Sequence, residues 1–184
     1  MAEIKSTMDL VMERTKNMVQ SSEERAKADE EARRNKAKGY LLRLAEGRLR
    51  PGDLTDLFQE MPAEEGGALK ASLVKVLIEA ISLEGDNQPI LTSLGVLAGE
   101  DLGPLIWEVQ EIIEESGRED EALASEAAGK VLEELAAKGI TGSALRPKPA
   151  PDPAYDQTRI GLRRGFKARL ERVQADMMEK TVRD

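Results

Sequence analysis

A chain of 184 residues with no cysteine and no histidine is long enough to bury a core. It lacks the groups for disulfides, thiol catalysis, imidazole-based triads and thiolate or imidazole metal sites. Rich in Ala, Leu, Glu, Lys and Arg, with only Phe58, Phe166, Tyr40, Tyr155 and Trp107 as aromatics, it favours helix over sheet from end to end. The net charge of −8 is unevenly spread: residues 1–52 hold twelve basic and nine acidic side chains, residues 53–139 five and twenty, residues 140–153 two and one, residues 154–184 eight and five. An acidic centre between mildly basic ends disfavours nucleic-acid binding by the centre, and lets basic arms lie against an acidic body within or between chains.

Residues 1–38 read as an extended, charged N-terminal helix. Ile4, Met8, Val11, Thr15 and Met18, with Met12 and Val19 beside them, recur at three-four spacing and put a narrow apolar seam on one helix face. From Ser21 to Lys38 the seam disappears, and helix there rests on propensity and on opposite charges four apart, such as Glu23 with Lys27, Asp29 with Arg33 and Glu30 with Arg34. Ser6 followed by Asp9 offers a capping box for the start of this helix, and Ser21 followed by Glu24 a second one and a potential break. The opening Glu3 to Met18, EIKSTMDLVMERTKNM, resembles the start of a family of small all-helical bacterial proteins. That resemblance implies a bacterial cytoplasmic origin and brings no activity, ligand or catalytic residue with it.

Residues 39–140 carry the punctuation of a folded core of about five short helices. Pro51-Gly52-Asp53 makes a turn whose Asp53 is placed to cap a helix holding Leu54, Leu57 and Phe58, and Met61-Pro62 ends that helix. Leu69, Leu73, Val76, Leu77, Ala80 and Ile81 follow the spacing of an amphipathic helix closed by Gly85-Asp86-Asn87. A shorter helix is expected from Pro89 to Ala98, another from Leu102 to Ser116, and a last from Glu119 to Lys138, ended by Gly139. Short turns between them favour a compact antiparallel bundle over a solenoid.

Residues 141–153, TGSALRPKPAPDP, have the composition of a Pro-rich semi-rigid linker, or of a strap anchored by Leu145. Residues 154–184 then resume as an amphipathic, basic C-terminal helix. Leu162, Phe166, Leu170, Val173 and Met177 form its seam, as narrow as the one at the N-terminus. The expectation is that the two terminal helices pair with each other, within a chain or across a dimer, or with a protein partner.

No residue set marks catalysis, a cofactor or a metal. The acidic groupings Glu64-Glu65, Glu111 with Glu114-Glu115, Glu119-Asp120-Glu121 and Glu133-Glu134 read as solvated faces. A carboxylate-dependent enzyme or divalent-cation binder is the second alternative function. Gly95, Gly99 and Gly103 read as turns, with neither a P-loop lysine nor a preceding strand. The first alternative is a nucleic-acid-associated protein, in which Arg159, Arg163, Arg164 and Lys167 around Phe166 contact phosphate.

The leading expectation is a non-enzymatic protein-interaction module, a scaffold, adaptor or assembly factor able to self-associate. Its interface would use Met8, Val11, Met12, Thr15, Met18, Phe166, Leu170, Val173 and Met177. No stretch reaches the roughly 20 apolar residues of a membrane span, and the N-terminus lacks a secretory pattern, so the expected location is the cytoplasm.

Overall fold

The structure, a computed structural model, describes residues 22–147 and 152–183. These are all-helical, with no strand among the described residues: α1 (Ser22–Ala45), α2 (Asp53–Gln59), α3 (Ala63–Ala80), α4 (Gln88–Ala98), a 3-10 turn (Gly99–Leu102), α5 (Gly103–Ala137) and α6 (Pro153–Arg183). No helix among them is long and apolar enough to cross a membrane.

Helix α3 lies at the centre because over its last two turns only a narrow strip, the exposed Lys75 and Glu79 four residues apart, is polar. Leu73, Val74, Val76, Leu77 and Ile78 are all buried, and a helix that is apolar nearly all round must be covered nearly all round. α1, α2, α4 and α6 each pack on it, while α5 joins through α4, the 3-10 turn and α6. Glu64 and Glu65 in its first turn sit at the favourable end of the helix dipole.

The turns follow local chemistry. α1 and α5 both end in Schellman closures: Arg48 N–H donates to the Arg43 carbonyl at 2.8 Å, and Ile140 N–H to that of Leu135 at 2.9 Å. Each requires a residue at positive φ, supplied by Gly47 (67°) and Gly139 (77°). Between α3 and α4 the buried Asn87 clamps the chain, accepting from Ser82 N–H at 3.1 Å and donating Nδ2–H to the Ser82 carbonyl at 2.8 Å.

Several expectations change. The helices expected at 102–116 and 119–138 are one, the 35-residue α5. Gly117 costs helix only about 1 kcal/mol, and α6 lies along α5 on both sides of it. Asp53 lies inside α2 rather than capping it, and its side chain reaches back to accept from Arg50 N–H at 3.1 Å. Arg34, expected to pair with Glu30, reaches Glu79 at 2.7 Å instead. α1 runs on through position 38 from its charged part toward the core: Ala37, Tyr40 and Leu44 are buried while Glu23–Glu31 are exposed.

The C-terminal seam is part of the same core. Phe166, Leu170, Val173 and Met177 are buried in one cluster with the residues of α3, α4 and α5. Met177→Ala is therefore expected to cost about 2–5 kcal/mol, seen as a lower urea midpoint at unchanged m-value. Gly117 is exposed and a Cβ there would meet nothing within 4 Å. Gly117→Ala should accordingly raise stability by about 0.5–1 kcal/mol, measured the same way.

Candidate interaction groove

α5 and α6 run antiparallel, as their contacts in chain order require. Lys180 Nζ donates to the Asp101 carbonyl at 3.2 Å, Arg169 pairs with Glu115 at 2.7 Å, and Arg159 and Arg163 reach Asp120. The face of α6 turned to the core carries the seam, and Arg159 and Arg163 flank that face toward α5.

Asp120 is the ionic centre of this contact. Arg159 donates Nε–H to Oδ1 at 3.1 Å and Nη2–H to Oδ2 at 3.3 Å, and Arg163 donates Nη2–H to Oδ2 at 3.0 Å. Arg163 also donates Nη1–H to Glu84 at 2.6 Å, so one guanidinium joins α5, α6 and the loop after α3. The Arg159 hydrogen bond holds the Asp120 carboxyl below the usual carboxylate range, partial burial opposes it, and Arg163 adds to the lowering. Reciprocally, Asp120 raises the pKa of Arg159.

A second tie runs from α6 to the end of α3. Gln174 Nε2 donates to the carbonyls of Ile78 at 2.6 Å and Ile81 at 3.1 Å, the first of which also accepts from the C-cap Ile81 N–H at 3.3 Å.

Between these two ties lies an open groove of about 790 Å³, bounded by the end of α3 and the loop after it, the middle of α5 and the outward side of α6. Its apolar lining includes Ile81, Leu83, Leu170 and Ile160, and the last is 58% exposed on α6. Glu79, Glu84 and Glu171 contribute acidic groups to the lining, and Arg163, Arg164 and Lys167 basic ones.

The residues singled out in the sequence separate into three groups. Met8, Val11, Met12, Thr15 and Met18 lie outside the described residues. Phe166, Leu170, Val173 and Met177 face the core, where Arg169 stacks at 5.2 Å over the Phe166 ring. Of the four basic residues, Arg159 and Arg163 are engaged by Asp120 and Glu84, whereas Arg164 and Lys167 are exposed on the groove. Ile160, Leu83, Asp120, Glu84 and Gln174 were not singled out individually. Asp120 was visible only as one member of an acidic run, and nothing local distinguishes it from Glu119 or Glu121. Among the acidic groupings, Glu65 pairs with Lys36 and Glu115 with Arg169, and among the described residues no three carboxylates converge on a cation site.

Comparison with protein-family models, with curated proteins and with solved structures finds no match to this chain.

Because folding lowers the Asp120 pKa, its contribution to stability is complete above the unfolded value of about 3.9 and is lost as pH falls through the lower folded value. Asp120→Asn is expected to cost on the order of 1 kcal/mol at pH 7, since the arginines are partly exposed. Urea unfolding over a pH series should show the difference between the two proteins constant down to about pH 5 and vanishing in strong acid.

Proposed function

We propose that this chain is a non-catalytic, cytoplasmic protein-interaction module, a scaffold, adaptor or assembly factor, and that its C-terminal helix supplies the binding surface. The observation that carries this reading is the division of α6 into two working faces. Its inward face, Phe166 to Met177, is consumed by the chain's own core. Its outward face leaves Ile160 exposed beside Arg164 and Lys167 along the groove. An apolar strip with a charged rim is the usual anatomy of a protein-binding groove.

The interface proposed here is thus the outward face of α6 rather than its seam. Phosphate contact through all four basic residues has less to support it, because Arg159 and Arg163 are already spent on carboxylates.

Ile160→Asp changes an exposed position and should leave the unfolding midpoint within about 0.5 kcal/mol of the parent. Affinity capture from native cells with the parent chain is expected to recover a specific protein that the variant loses. Recovery of the same protein at equal yield by both would remove the groove from consideration. Recovery of nucleic acid sensitive to nuclease, lost on replacing Arg164 and Lys167, would move the reading to phosphate binding.

A further inference from the structure

The ionic groups of the groove are unequally satisfied. Glu79 is held by Arg34 at 2.7 Å, Glu84 by Arg163 at 2.6 Å, and Asp120 by Arg159 and Arg163 at 3.1 and 3.0 Å. Lys167 and Glu171 meet only at 3.8 Å, with their side chains 71% and 61% exposed, a separation at which an ion pair in water contributes little. Arg164 is exposed and has no ion pair among the described residues. In a chain of net charge −8, the charge left unneutralised at this groove is positive.

The arrangement of that charge is specific. Ile160, Arg164 and Lys167 are spaced by four and three along α6, which sets them on one helical face. The exposed Ile160 and the half-buried Leu83 line the same groove from α6 and from the loop after α3. An apolar anchor point is therefore followed, one helical turn along, by a guanidinium with no ion pair among the described residues and then an ammonium whose one ion pair among them, with Glu171, is 3.8 Å long.

We propose that this groove binds an acidic amphipathic segment of a partner protein, seating an apolar side chain between Ile160 and Leu83 and placing a carboxylate one turn away on Arg164 and Lys167. The inference rests on the interaction-module reading and adds the chemistry of the partner. It is carried by charge complementarity: a carboxylate supplies Arg164 with its missing partner and replaces the long Lys167–Glu171 contact. A nucleic-acid strand fits less well, because the positive charge left unneutralised is confined to one turn at Arg164 and Lys167 rather than continued along the groove, and no aromatic side chain lines the groove for base stacking.

The test uses the full chain and three synthetic amphipathic helical peptides that share one Leu face and carry Glu, Lys or Gln on the other, with a single-stranded oligonucleotide as a fourth probe. By fluorescence anisotropy the Glu peptide should bind about tenfold tighter than the Gln peptide and the Lys peptide weakest, with the preference shrinking in high salt. In the double variant R164E/K167E the order of Glu and Lys peptides should invert, and Ile160→Asp should weaken all three. Circular dichroism and the unfolding midpoint check that both variants stay folded. Equal affinity for the three peptides, still lost on Ile160→Asp, would overturn the acidic partner while leaving the groove as a binding site. Binding of no peptide would overturn both. Tighter binding of the oligonucleotide than of the Glu peptide, abolished in R164E/K167E, would overturn the proposal in favour of nucleic acid.

Discussion

Helix α3 is buried on nearly every side over its last two turns, and a helix in that position has to be enclosed by neighbours on each of them. That requirement accounts for most of the architecture. α1 contributes Ala37, Tyr40 and Leu44, α4 contributes Leu91, Leu94 and Leu97, and α6 contributes the seam from Phe166 to Met177. Without α6 the side of α3 that meets it would face water. The C-terminal helix is in this sense a wall of the core, although it follows a proline-rich connection of the kind that often separates independent parts.

Closing the core with α6 creates a polar problem at the end of α3, where carbonyls lose their intrahelical donors. The Gln174 amide supplements the C-cap from across the interface, donating to the Ile78 carbonyl, which also accepts from Ile81 N–H, and to the Ile81 carbonyl beyond the helix end. Arg163 meets the next stretch of chain through Glu84 while also holding Asp120. Both ties come from side chains flanking the α6 seam, so the register that seats Phe166, Leu170, Val173 and Met177 also places Gln174 and Arg163. Apolar packing and polar satisfaction demand the same alignment, the mutual consistency expected of a sequence that specifies one structure.

The groove is a consequence of the same geometry. α6 contacts the end of α3 and the middle of α5, and the loop from Ile81 to Asn87 turns back under the Asn87 clamp, leaving an open channel along the outward side of α6. A helix whose one face is fixed by the core presents its other face on a rigid support, which lowers the ordering cost of binding there.

Much of the local structure was legible in the residues themselves. Pro51-Gly52, Pro62, Gly99 and Gly139 stand at helix boundaries as their backbone preferences demand, and Gly85, expected to close α3, turns the loop five residues beyond its end. The seam of the last helix was visible because its apolar spacing matches the helical period. The Gly117 boundary misled because a single glycine's cost is small beside the packing of two long helices. The sequence by itself therefore determined the helical class, the main turns and the faces of the helices, since these depend on neighbours within a few residues. Only the tertiary structure decided what covers each face, that Asp120 rather than Glu119 binds Arg159 across 39 positions, that Gln174 meets Ile78 across 96, and which basic side chains stay unpaired. Those outcomes depend on where distant segments meet, and no short-range periodicity encodes that meeting.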